Sequence, residues 1–363
     1  MPQKTCLHAL HERLGGKLVD FHGWSLPVQY AGILAEHRHT RSAVSLFDTC
    51  HMGQFVLRGE HVGETLDRIL VQPTAAMKVG RCKYGFLLNE AGGILDDTII
   101  MRLGDEEFFL VVNAGPRESD FAWLREKLPG AIELVEQSAW GKLDIQGPLA
   151  AEVLTPHTEA DLTELKYFGV TRTGILGREC ILSRTGYTGE LGYEIFYPTD
   201  GMVELFEALL AHEHVKPAGL GARDSLRLEM CYPLYGQDIT QQTTPIEADM
   251  AFFCPMGDEF VGASALRAQR DEGIARRLVA FCADTRRRAN TGDTILRDGD
   301  PVGEVTSGAF SPMLETSIGL GYVQADCSAV GSTIVIDTGR AQLEATIAEK
   351  PLYTKGTCRT TLG

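Results

Sequence analysis

Several common catalytic signatures are missing from this chain. Its 363 residues contain no GxxxxGK[ST] phosphate loop, no G-x-S-x-G nucleophile elbow and no H-E-x-x-H zinc helix, which removes the main support for three large enzyme classes. There is no CxxC pair either. The nine cysteines fall at 6, 50, 82, 180, 231, 254, 282, 327 and 358, and an odd count without paired spacing argues for reduced thiols. Long apolar runs are absent: the opening MPQKTCLHALHERLGG lacks the core of a secretory signal, and no stretch approaches the roughly 18–20 apolar residues of a membrane span. A cytoplasmic, or cytosol-like, protein that does not insert in membranes is expected. Positive charge is scarce, with 34 Lys and Arg against 49 Asp and Glu and a net charge of −15. That balance excludes the dominant basic face a nucleic-acid binder needs. One basic cluster, RRR at 286–288, reads as a solvated loop, the functional alternative being a contact for an acidic partner or a polyanionic ligand tail. Ten histidines include HRH at 37–39 and HEH at 212–214, but neither has ligand spacing and no metal is expected.

What is present is the length and patterning of two or three domains. A strand-like segment, KLVDFHGWSLPVQY, precedes a helix from about 31 to 44. From 51 to 139 the order is strand (HMGQFVLRG), helix (GEHVGETLDRILV), hairpin (CKYGFLLNEAGGILDDTIIMRL), strand (EEFFLVVNAG) and helix (PRESDFAWLREKL). That order suggests a ferredoxin-like α+β unit. A second α+β segment carries KLDIQGP and ECILSRTGYTGELGYEIFYP as strands, with DGMVELFEALLAHE, cappable by Asp200, and GLGARDSLRLEM as helices. Beyond about 275 the helical periodicity vanishes, and short strands between Gly and Asp turns predict a small β-barrel or jelly roll. No internal repeat or low-complexity segment stands out.

Three stretches could carry chemistry. In NEAGGILDDTIIM, residues 89–101, a glycine turn feeds a strand on which Asp96 and Asp97 must point to opposite faces, so one of them lines whatever the strand encloses. In RTGYTGELGYEIF, residues 184–196, glycines open the backbone beside tyrosine rings, and Glu194 lies on the face opposite Tyr193 and Ile195. Such a face can stack a flat heteroaromatic and accept its N–H donors; the alternative is an exposed hairpin with surface acids. PAGLGARDSLRLE has the GxG of a dinucleotide loop, but Asp224 stands where the third glycine belongs, and NAD binding is rejected. Arg223 there opposes its own helix dipole and implies a carboxylate or ligand partner.

Taken in order, VDFHGW, FDTCHMG, NEAGGILDD, VVNAG, QGP, RTGYTGELGYE, GLGARDSLRLE, PLYGQD and GEVTSGAFSP closely resemble the aminomethyltransferase, or T-protein, family of the glycine cleavage system, from about residue 5 to residue 360. The resemblance implies an α+β, three-domain cloverleaf around a central folate tunnel. Residues 1–50 and 140–250 form the first domain, 51–139 a ferredoxin-like second, and 275–363 a barrel or jelly-roll third. It implies transfer of a methylene from the aminomethylated dihydrolipoyl arm of H-protein to tetrahydrofolate, a co-substrate, with release of ammonia. Asp97 then matches the essential acid, Glu194 the acid on the pterin N–H edge and Arg223 a pterin-site arginine. Tyr84, Asn113, Tyr187 and Tyr235 match cleft residues, Arg359 a C-terminal arginine reaching the cleft, and Met52 an apolar wall. Asp96 becomes a structural acid, bonded near the glycine turn or solvated, and sharing no proton with Asp97. Two departures stand out: Cys50 replaces a common serine, a nearly isosteric change, and Met101 replaces a tyrosine of the cleft. The alternatives are a folate-dependent demethylase of the same superfamily and a non-catalytic folate-binding relative. The former often departs at the acid retained here, and the latter carries a KGCYxGQE-type signature where this chain has PLYGQD.

Overall fold

A computed structural model describes residues 1–255, 257 and 259–363. Three large β-systems organise the chain, and a small three-stranded sheet of Gln3–Lys4, Lys17–Phe21 and Trp24–Gln29 packs beside them. The six-stranded sheet runs Val170–Ile175, Arg178–Ser183, Gly192–Pro198, Trp140–Gln146, Val44–Asp48, Val215–Pro217, so a strand from the first fifty residues and the stretch 140–217 share one sheet. Its core face is apolar: Leu46, Leu143, Ile145, Tyr193 and Ile195 pack under the helix Met202–Leu210 through Leu205, Phe206 and Leu209. That helix begins at Gly201 without a side-chain cap; Asp200, expected to cap it, instead pairs with Arg178 at 2.9 Å.

Between them lies a five-stranded antiparallel sheet in the order Arg81–Leu88, Ile94–Gly104, Glu107–Val112, Gly53–Arg58, Glu133–Glu136. The last four strands have the ferredoxin-like order, and Arg81–Leu88 adds an edge. The helix anticipated across residues 59–71 is confined to Val62–Asp67, whereas Arg117–Lys127 forms as expected behind Pro116. In the hairpin joining the first two strands, Asn89 Oδ1 accepts from the backbone N–H groups of Ala91 and Gly93. A Cβ on Gly93 would lie 2.0 Å from the carbonyl oxygen of Gln241. Only glycine lets the turn close against that chain, and the closure fixes where the strand carrying both aspartates begins.

The C-terminal third closes completely: Arg276–Ala283, Thr316–Gln324, Asp300–Ser311, Thr294–Arg297, Thr333–Asp337 and Gln342–Ala348 form a six-stranded barrel, so of the two anticipated forms it is the barrel. Its filling alternates along the strands, with Phe281, Ile295, Val305, Ile334, Ile336 and Ile347 inside. Among the described residues no helix is long and apolar enough to cross a membrane.

The helix Leu220–Glu229 joins these parts. It starts hard against the small sheet, where a Cβ on Gly219 would meet the Val28 backbone at 2.5 Å. Its Arg227, 1% exposed, reaches Asp238 at 2.5 Å and Ser307 of the barrel at 2.8 Å. From the helix Ile33–Ser42, Arg41 contacts Glu229 and Glu190 at 2.7 Å each and lies over the Tyr353 ring at 4.2 Å. Of the HRH histidines, His37 bonds Ser225 and lies 3.1 Å from Glu229, and His39 bonds backbone carbonyls.

Candidate active site

The strand Ile94–Gly104 turns alternate residues to opposite faces, as its pleat requires. Asp97 faces a cavity of about 1710 Å³, and Asp96 faces away from it, fully buried. The cavity is bounded by all three β-systems, with Asp97, Lys142 and Ala309 each on its lining.

Asp97 is held on both oxygens. The Tyr84 hydroxyl, from the neighbouring strand, donates to Oδ2 at 3.1 Å, and Asn113 Nδ2 donates to Oδ1 at 2.8 Å. Enclosure raises its carboxyl from 3.8 to about 6 even though both donors favour the anion. Asp96 is not solvated, nor bonded within the glycine turn, as the sequence had suggested. Its two oxygens accept from the backbone N–H and the side-chain amide of Asn113, both at 2.8 Å. One amide group of Asn113 therefore spans both acids and sets their separation. Behind Asp96 lies Asp120, on the buried side of the helix Arg117–Lys127. Burial, and then the charges of Asp120 and Asp97, push Asp96 far above the usual carboxylate range, and burial raises Asp120 to about 7. The Asp120 charge opposes ionisation of Asp96. Asp97 is left as the member that faces the cavity.

The opposite wall is built on the six-stranded sheet. Asp144 pairs in register with Glu194 on the adjacent strand. Lys142, two residues before Asp144 and 1% exposed, bonds Asp144 Oδ1 and Glu194 Oε1 at 2.6 Å each. Thr185 donates to Glu194 Oε2 at 2.6 Å. Arg223, the arginine set against its helix dipole, has the carboxylate partner that placement implied: it reaches Asp144 Oδ2 at 2.9 Å and lies over the Tyr187 ring at 4.8 Å. Burial would raise Asp144, but Lys142 and Arg223 hold it below the ordinary range.

Met52, Tyr84, Asp97, Asn113, Tyr187, Glu194, Arg223, Tyr235 and Arg359 all line this one cavity, although they come from segments separated by up to three hundred positions. Arg359 is exposed at the rim, its guanidinium 5.7 Å from the Tyr167 ring. Met101 is the exception among the anticipated cleft positions. It is fully buried and packs with Val56, Cys82, Phe109 and Val111, because the strand has by then passed beneath the six-stranded sheet. Cys50 sits with its sulfur 3.8 Å from that of Cys6. Of the RRR cluster, Arg286 stacks over Phe310 at 4.5 Å and Arg288 reaches the cavity rim.

Sequence reasoning did not single out Lys142, Asp144, Asp120 or Tyr167. The signal for the first two was present: in KLDIQ, charged residues alternate with Leu143 and Ile145, a pattern that puts both charges on one face of an interior strand. For Asp120 the signal was an acid four residues before Leu124, on the apolar side of its helix. Among the described residues, no group of three or more His, Cys, Asp or Glu stands close enough to hold a metal ion.

Comparison with known proteins accords with this geometry. Residues 7–258 match the family described as GCVT N-terminal domain, and residues 276–354 the Glycine cleavage T-protein C-terminal barrel domain. Curated relatives include aminomethyltransferases of Halothermothrix orenii, 38% identical over 96% of this chain and 99% of that protein, and of Geobacillus kaustophilus, 39% identical over 97% and 99%. The crystal structure of glycine cleavage system aminomethyltransferase T from Bartonella henselae superposes with a TM-score of 0.94 at 34% identity, covering 98% of this chain and 99% of that one. With both family domains matched in order and relatives similar from end to end, the chain belongs to the glycine cleavage T-protein family of aminomethyltransferases.

Proposed function

We propose that the chain takes the methylene of an aminomethyl group carried on the dihydrolipoyl sulfur of lipoylated H-protein and delivers it to tetrahydrofolate in glycine cleavage. The observation that carries this reading is the pairing of Asp97, alone and half-buried on one wall, with the ordered acid Glu194 and Arg223–Tyr187 stack on the other. In the transfer, the C–S and C–N bonds of the carried group break and two C–N bonds to folate nitrogens form. Of the two N–H protons folate gives up, one ends on the thiol and the other on the departing ammonia as ammonium. Asp97 accepts a hydrogen bond from the attacking nitrogen and stabilises the iminium that forms as nitrogen leaves. A fixed anion already facing that position needs no reorganisation. Glu194 accepts from the pterin N–H edge, Tyr187 and Tyr84 supply stacking faces, and Arg223 and Arg359 favour the anionic ligand. Tyr235, Met52 and Asn113 complete the wall.

The three β-systems suggest domains of 1–50 with 140–250, 51–139, and 275–363. Nine free cysteines suit a reducing, cytosol-like compartment. Reconstitution with aminomethylated H-protein and tetrahydrofolate, following ammonia and methylene-tetrahydrofolate, tests the reading; no product beside an active carrier control overturns it. Glu194→Ala and Arg223→Ala should each weaken tetrahydrofolate binding by about tenfold or more, and unchanged affinity would remove that residue from the pterin site.

A further inference from the structure

Lys142 has no role in the transfer just described, yet it lies in the wall of the cavity with 1% of its surface exposed. A buried ammonium is costly unless each N–H finds an acceptor. Here all three do: Asp144 Oδ1 and Glu194 Oε1 at 2.6 Å, and Thr49 Oγ1 at 3.3 Å. No donor is left for a ligand, so Lys142 cannot recognise the substrate itself. Its geometry orients another group. With Thr185 on Oε2, it fixes both oxygens of Glu194 and leaves their remaining lone pairs toward the cavity. The chain of contacts continues from Lys142 through Asp144 to Arg223. Two cations and two anions alternate along it, and the set is neutral.

We infer that Lys142 is a positioning residue that presents Glu194 as a fixed, ionised acceptor for the N–H edge of a pterin, and that Asp144 offsets the charge Lys142 would otherwise add. The inference rests on the folate reading of the cavity. Lys142 and Asp144 from the adjoining strand and Cys82 from the strand Arg81–Leu88 act on Glu194 directly, while Arg223 from the helix Leu220–Glu229 pairs with Asp144, and His51, from the segment after Val44–Asp48, lies in the field of Lys142, Asp144 and Arg223. Burial lowers His51 to about 4 and drives the Cys82 thiol far up, so both are neutral between pH 5.5 and 8.5 by about one unit or more. Lys142 is then the direct counter-charge to Glu194. In Lys142→Met the set has an excess negative charge, and Glu194 relieves it by taking up a proton, which removes the acceptor.

The test is the dissociation constant of tetrahydrofolate, measured anaerobically by calorimetry across that pH range. The unmodified protein should show no change beyond that set by Asp97, which shares the cavity and titrates at about 6. Lys142→Met should bind about tenfold or more weaker at the acid end and regain affinity as pH rises, and transfer should show a raised KM with little change in kcat. The isoelectric Lys142→Met/Asp144→Asn should bind weakly but with the pH profile of the unmodified protein restored, and it carries the test if the single variant does not fold. Affinity equal to the unmodified protein in either variant, or a loss in Lys142→Met that is the same at every pH, overturns the inference. Failure of the unmodified protein to bind tetrahydrofolate would instead overturn the folate reading beneath it.

Discussion

Asp96 and Asp97 are neighbours in sequence with different surroundings, and the difference sets how each should fail. Enclosure holds the Asp97 carboxyl at about 6 rather than 3.8. At that value it is mostly anionic at neutral pH, so methylene transfer should fall as pH drops through about 6. Asp97→Asn should keep tetrahydrofolate binding and lose transfer by about a hundredfold or more, which single-turnover measurements at saturating folate would show. The same raised value bears on stability. Between about pH 4 and 6 the folded chain holds a proton here that the unfolded chain has lost. Stability from this group is therefore present at low pH and disappears as pH rises through the folded value. Asp97→Asn should raise the melting temperature by roughly 2 °C or more at pH 8 and show no gain near pH 4; equal shifts at both pH values would exclude the buried charge as cause. Asp96→Asn should behave in the opposite way. It sets an amide NH2 against one of the two Asn113 donors that Asp96 now accepts, and it should lower stability by about 1–3 kcal/mol while shifting the Asn113 bridge.

At the level of elements, the active cleft depends on contacts between segments that cannot find one another locally. Arg41, on Ile33–Ser42, joins Glu229 of the helix Leu220–Glu229, Glu190 and the Thr188 carbonyl of the glycine-rich loop, and the Tyr353 ring near the C-terminus. Removing one partner of a buried ion-paired cluster leaves the others desolvated and unpaired. Arg41→Met should cost about 3–5 kcal/mol in denaturant unfolding, and a loss below about 1 kcal/mol would show the cluster to be dispensable. The Cys50–Cys6 contact concerns the same region. The two sulfurs join the segment before the first helix to the end of the strand Val44–Asp48 at 3.8 Å. Hydrogen bonding to Cys50 lowers the exposed Cys6 thiol, leaving it the more reactive of the two. A dithiol oxidant such as diamide, which takes up the two hydrogens, should couple them. Intact mass after alkylation would show two fewer modified thiols than in the reduced protein, and Cys6→Ser should abolish the difference.

Across the whole molecule, the barrel is anchored by polar contacts as well as by apolar packing. Arg227 reaches Asp238 and the barrel residue Ser307, while Asp238 also accepts from Thr306 and Ser307. Phe86, Leu228, Leu278 and Ile318 pack in one cluster that joins the five-stranded sheet to the barrel through the helix Leu220–Glu229. The cavity lies where these systems meet, so its shape depends on their docking as much as on any one sheet. Arg227→Met should weaken the barrel's attachment, splitting one calorimetric transition into two or lowering stability by about 3–5 kcal/mol. A single transition at the original temperature would locate the attachment elsewhere.

Patterns with short range determined most of what could be read directly. The strand period put Asp96 and Asp97 on opposite faces, and the same alternation set Glu194 apart from Tyr193 and Ile195. The loss of helical period beyond residue 275 predicted the barrel, and the dipole argument gave Arg223 its carboxylate. The motif order carried the family, and with it the nine cavity residues. Tertiary structure decided the rest, because those choices depend on groups far apart in the chain. Asp96 found its donors on Asn113, seventeen residues away, rather than in its own turn. Met101 went to a core between two sheets because of where the strand passed beneath its neighbour. Alternation puts Lys142 and Asp144 on one face of their strand, but only the assembled sheet turns that face toward Glu194 and Arg223. Burial of a charge, and the partner that compensates it, are properties of assembled surfaces, and local periodicity carries no information about which surfaces will meet.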